Sequence, residues 1–193
     1  MRLPVLPALL AGLLVAACAT VPVTGRSQLM LVSAQEEARL GAAAFQQLAQ
    51  EETGKGRAVS PQQDPALYQR VRAVGDRIIR AAGLEGTYQW DYLVIRSPDA
   101  NAAAIAGGKI IVYTGILPIV ANDAGLAVVL GHEVGHVLAH HTGERLSQAG
   151  LTEAAVGATA AALTGGTGGG ATGQAVMAVF GLGAQYGVLL PYA

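Results

Sequence analysis

The sequence predicts an α+β fold, mostly helical, with a small antiparallel sheet beside one long helix. Three observations carry this. Two stretches in the first half have apolar residues at helical spacing behind capping residues. The pattern then changes to period two from Tyr88. A further helix, opened by Asn122-Asp123, follows the apolar runs. With 193 residues, 52% hydrophobic and 13% charged, the chain suits one buried core and is too apolar for disorder. A net charge of −1 with no basic run excludes nucleic-acid binding through a phosphate-neutralising patch.

Leu3 to Ala17 is apolar but short for a membrane span, and ends in Val15-Ala16-Ala17-Cys18. Residues 1–17 therefore read as a signal peptide. Val-Ala-Ala-Cys resembles the lipobox of bacterial lipoproteins, in which the cysteine carries the lipid. That implies a membrane anchor at Cys18, the chain's single cysteine. Ala19 rather than Asp follows it, which in such lipoproteins goes with the outer membrane, facing the periplasm. Residues 18–32 read as a lipidated N-terminus and polar connector.

Ser33-Ala34-Gln35-Glu36 has capping-box spacing and opens a helix to about Glu51, with Leu40, Ala44 and Leu48 on one face. Asp64-Pro65 opens a second, with Leu67, Val71, Val74 and Ile78 in register and Gly83 as its stop. Tyr88, Trp90, Tyr92 and Val94 share one face of a strand. Ile110-Ile111-Val112-Tyr113, behind Gly107-Gly108, is a second strand, and the two are expected to pair as a hairpin. The helix from Asn122-Asp123 should run to about Gln148. From Ala154 to Ala193 there is no charged residue or histidine. Gly, Ala and Thr dilute that tail, which favours a buried helical hairpin over membrane contact.

The chemistry lies in His132-Glu133-Val134-Gly135-His136. Residues i and i+4 stand about 40° apart around an α-helix, so both imidazoles leave one face and can share one zinc ion. Glu133 is turned about 100° from His132, beside the metal but off it, where a general base can take a proton from the attacking water. Leu130, Val134, Val137 and Leu138 lie on the opposite side and can be buried. His140 sits about 12 Å along the axis from His132, too far to share an ion, and reads as surface or supporting. His141 points to the opposite face of a continuous helix and reads as structural. A third ligand should be a carboxylate from another element. The acidic residues after His136 are Glu144 and Glu153, and neither has a supporting motif.

These motifs resemble metallopeptidase family forty-eight, the zincin-like gluzincins related to HtpX and the CAAX-prenyl proteases, in its secreted bacterial lipoprotein branch. The resemblance runs from Pro22 to Tyr192. It rests on Pro22-Val23-Thr24-Gly25-Arg26, on Asn101-Ala102-Ala103-Ala104-Ile105-Ala106-Gly107-Gly108, on Val129-Leu130-Gly131 before the metal motif, and on His141 with Glu144-Arg145-Leu146-Ser147 after it. Ala103 and Ala106 stand where the family has Phe and Pro, so a looser loop is expected there. The family's third ligand is a Glu on a helix that would begin about where this sequence ends. Residues 33–193 are therefore expected to be a peptidase domain incomplete at its C-terminus.

The resemblance implies a zinc-dependent endopeptidase, with one zinc per chain on His132 and His136 and with Glu133 as base. Its substrates would be unfolded or misassembled envelope proteins. It also implies an edge strand that pairs with extended substrate, for which Lys109, Ile110, Ile111, Val112 and Tyr113 are the candidates. The alternative is a non-enzymatic or vestigial lipoprotein that holds clients as a chaperone does. A third reading is a structural lipoprotein whose two histidines are merely buried.

Overall fold

The computed structural model describes residues 18–21 and 25–149. The expected signal peptide, the apolar tail and Glu153 lie outside the described residues. The connector is not a plain tether. Strands β1 (Cys18–Thr20) and β2 (Ser27–Leu29) pair antiparallel, with Cys18 opposite Leu29.

Helix α1 (Ala34–Gly54) begins where the capping residue predicts, and the Ser33 hydroxyl accepts from the Glu36 amide at 3.1 Å. The other half of the box does not form. Glu36 instead takes a forked pair of hydrogen bonds from Arg39, one turn on. After the short strand β3 (Ala58–Val59) comes α2 (Pro65–Ala81), capped by Asp64, whose carboxylate accepts from the Leu67 amide. Gly83, at φ +67°, closes it as expected.

Three more strands follow: β4 (Asp91–Ile95), β5 (Ala102–Ile105) and β6 (Lys109–Tyr113). The sheet order is β3-β4-β6-β5. It is mixed rather than antiparallel, because β4 runs parallel to β6, Val94 opposite Val112. The expected hairpin between those two strands is therefore corrected: the hairpin partner of β6 is β5, with Ile105 opposite Lys109. A parallel pair needs a crossover, and residues 96–108, with β5 inside them, supply it.

Both faces of the sheet are buried. Val94, Ile110 and Val112 pack with Val71 and Val74 of α2, while Leu93, Ile95 and Ile111 pack with Ala44 and Leu48 of α1. The strand expected from Tyr88 starts only at Asp91, yet Tyr88, Trp90 and Tyr92 pack on the same side as Val94. The turn from β5 to β6 is tight, not loose. Gly107 and Gly108 hold φ of +81° and +75°, and a Cβ at Gly41 would lie 2.1 Å from the Ala106 carbonyl oxygen. Small residues at 41 and 106 let α1 rest directly on that turn.

A 3₁₀ turn (Thr114–Ile116) and the single turn α3 (Leu117–Val120) lead to α4 (Asp123–Leu138). The Asn122 side chain accepts from the Gly125 amide, so the predicted cap holds. Its inner face, Leu126, Leu130, Val134 and Val137, joins the α2 side of the core. The expected single helix to Gln148 is interrupted. The chain turns at Ala139 and His140, with His140 at φ +52°, and a new helix, α5, occupies 141–149. No helix among the described residues is by itself long and apolar enough to cross a membrane.

The turn is pinned from α1. Glu37 is buried, accepts from the Gly143 amide at 2.7 Å, and lies 2.8 Å from His140 Nδ1. The same corner is bound by a forked Arg26–Glu144 pair and by Ser147, which accepts from the Leu31 amide at 2.8 Å. The hydrogen bond to Glu37 raises the pKa of His140 against the opposing effect of burial. A raised histidine stabilises the fold fully below about pH 6.5, and that share is lost as pH rises through its folded value. Glu37→Ala should cost about 2–3 kcal/mol, because it strands a buried N–H and an imidazole. Urea denaturation at pH 6 and pH 8.5 checks this: the deficit should be larger at pH 6, and an equal deficit would remove His140 from the account.

Candidate metal centre

Helix α4 presents His132 and His136 one turn apart, as their spacing requires. Their Nε2 atoms lie 3.0 Å apart and their rings cross at 82°. Two imidazole nitrogens on one tetrahedral zinc would be about 3.3 Å apart, given bonds of about 2.0–2.1 Å. The donor pair therefore fits such an ion. One donor atom each from His132, Glu133 and His136 falls within 4.8 Å of the others.

The three side chains differ in burial. His132 is exposed, His136 half-buried, and Glu133 only 8% exposed. Burial raises the Glu133 pKa, opposed by His132 and by a hydrogen bond from the Ala104 backbone. His136 is pushed down to about 4, first by burial and then by its neighbours His132 and His141. At neutral pH it is the uncharged imidazole, the form that binds metal.

The Ala104 contact follows from the sheet. Tyr113 donates its amide to the Asn101 carbonyl, so Asn101 and Tyr113 form a hydrogen-bonded pair. Counting along the antiparallel register, Ala103 and Ile105 also face β6, while Ala102 and Ala104 turn their backbone groups to the outer side. Strand β5 is the sheet edge next to α4. This corrects the assignment of substrate pairing to Lys109, Ile110, Ile111, Val112 and Tyr113. That strand is bonded to β4 on one side and β5 on the other and has no free edge. The Lys109 side chain is likewise engaged, by the Asp91 carboxylate and the Gln89 carbonyl, with the Phe45 ring 5.8 Å away.

The remaining candidates are also placed. Glu144 is on α5 rather than on the metal helix, and is held by Arg26, which lowers its pKa. Among the described residues, His132, Glu133 and His136 form the group that could hold a metal ion, and no further carboxylate joins it. His140 faces Glu37, not the metal face. His141 departs from its expected place: its Nδ1 lies 2.6 Å from Nδ1 of His136. Sequence reading missed it because a continuous helix would point it away. The edge residues Ala102 and Ala104 were missed because alanine side chains carry no chemical signal.

The model of peptidase family M48 matches residues 65–193. The chain is 36% identical over 128 residues to the mitochondrial metalloendopeptidase OMA1 of Schizosaccharomyces pombe, covering 66% of this chain and 36% of that protein. It is 34% identical over 138 residues to OMA1 of Saccharomyces cerevisiae, covering 66% and 39%. It is 30% identical over 78 residues to the β-barrel assembly-enhancing protease of Escherichia coli, covering 40% and 16%. The chain thus spans well under half the length of these relatives. The expected placement in a bacterial outer membrane facing the periplasm is overturned, since the relatives matched over two thirds of the chain are mitochondrial.

Proposed function

Because the chain belongs to peptidase family M48, we propose that it is part of a zinc-dependent endopeptidase acting on unfolded or misassembled proteins, with its centre on α4. The observation that carries this is the convergence of two Nε2 atoms at 3.0 Å with a buried carboxylate one residue from the first. His132 and His136 would hold one zinc per chain through those atoms. Zinc bound there supplies Lewis acidity, making a water more acidic and a carbonyl more electrophilic.

The chain's own residues do the rest. Glu133 receives the proton of the attacking water and delivers it to the leaving amine. Its burial strengthens it as a base, and the Ala104 backbone fixes its direction. The outward N–H and C=O groups of Ala102 and the C=O of Ala104 suit an extended peptide laid along β5 as a further strand, the Ala104 N–H being given to Glu133. Such pairing reads backbone more than side chains, which suits unfolded substrates. The peptidase unit would begin at residue 33, since α1 supplies one wall of the core. Val15-Ala16-Ala17-Cys18 supports a membrane anchor through lipid on Cys18.

Glu133→Gln should bind zinc as the unaltered chain does and lose about 10²–10⁴-fold in cleavage of an unfolded protein substrate. Cleavage at an undiminished rate would exclude Glu133 as the base. A peptide substrate N-methylated at alternate positions should bind the β5 edge poorly and raise KM. An unchanged KM for every methylated position would remove strand addition. Radiolabelled palmitate should be incorporated and lost in Cys18→Ser; label retained in that variant would place any lipid elsewhere.

A further inference from the structure

His136 has two ring nitrogens, and the centre described above uses one. Its Nε2 faces Nε2 of His132, while its Nδ1 faces Nδ1 of His141 at 2.6 Å, with ring centroids 4.8 Å apart. A neutral imidazole carries one proton. For Nε2 to offer a lone pair to a metal, that proton must sit on Nδ1, and an acceptor placed there holds it. We propose that His141 is a positioning residue of the metal centre: its Nδ1 accepts the Nδ1 proton of His136 and so fixes His136 Nε2 as ligand. The proposal rests on the metallopeptidase reading above.

The backbone supports it. On an uninterrupted helix, His141 would stand about 140° around the axis from His136 and the rings would not meet. They meet because α4 ends at Leu138 and His140 takes a left-handed conformation, φ +52°, before α5 begins. That conformation is unfavourable for a residue with a side chain. It is held by Glu37, which engages both the His140 ring and the Gly143 amide. The helix break and its pin thus have a local product, a nitrogen acceptor behind a metal ligand. His141 accepts when its own proton is on Nε2, so the pair needs no net charge.

The test uses the full chain and measures zinc affinity by competition with a chromophoric chelator. It also records the d–d absorption spectrum of the Co²⁺-substituted protein. His141→Phe keeps a ring but offers no acceptor. It should weaken zinc binding by about 10–100-fold and shift the cobalt bands, with helix content unchanged by circular dichroism. His141→Asn places an amide oxygen near the lost Nδ1 and should restore affinity to within about threefold of the unaltered chain. If His141→Phe does not fold, His141→Ala takes its place in the same comparison. Unaltered affinity in the Phe or Ala variant would overturn the proposal, and so would an Asn variant as weak as they are, since packing alone would then explain the loss. If the unaltered chain binds no zinc, the metallopeptidase reading itself fails and this inference with it.

Discussion

Val94, Ile110 and Val112 point to α2 and α4, while Leu93, Ile95 and Ile111 point to α1, so β4 and β6 are buried on both faces. Strands of that kind belong inside a sheet, which leaves β5 at the edge next to the metal helix. The rest of the site follows from this arrangement. Leu126, Leu130 and Val134 hold α4 against the same face, fixing its rotation. With the rotation fixed, His132 turns outward, and Glu133 turns toward the backbone of Ala104. The core thus sets the orientation of the histidines, and the strand edge sets that of the carboxylate.

A second constraint acts at the other end of α4. Arg26, Leu31 and Glu37 all come from the N-terminal part of the chain, and all bind the segment 140–147. Within this corner the buried Glu37 carboxylate matters most, because it replaces the amide partner that the break in the helix removes from Gly143. The exposed Arg26 adds a forked pair to Glu144 that solvent screens. Segments before the family match therefore pin the turn that ends α4.

What the sequence made legible was local. The caps Ser33, Asp64 and Asn122 each accept the amide three residues on, and the spacing of His132, Glu133 and His136 works as a single helical turn should. The packing side shared by Tyr88, Trp90, Tyr92 and Val94 was legible too, although the strand starts only at Asp91 and that start was not. Strand order was not. The parallel pairing of β4 with β6 depends on a crossover, and nothing in either strand distinguishes it from a hairpin. The bend at His140 was equally hidden. Histidine's enrichment in left-handed turns is too weak to mark one inside a helical run, and the carboxylate that holds it lies 103 positions earlier. The places of the edge strand and of His141, which depend on these two features, were lost with them.

The unequal burial of the three motif residues bears on the chemistry proposed for them. A carboxylate in water is a weak base, and exposing all three groups would leave Glu133 near its ordinary pKa. Burying all three would close the centre to a substrate. The fold separates these demands on a single helical turn: His132 stays open, His136 is half-covered, and Glu133 lies under the strand edge at 8% exposure. Burial alone would push the carboxyl toward its neutral form, and a neutral acid cannot accept a proton. The Ala104 backbone and His132 act against that shift. The same strand edge that covers Glu133 therefore also keeps it ionisable, and an extended peptide paired along that edge would place its own backbone beside that carboxylate.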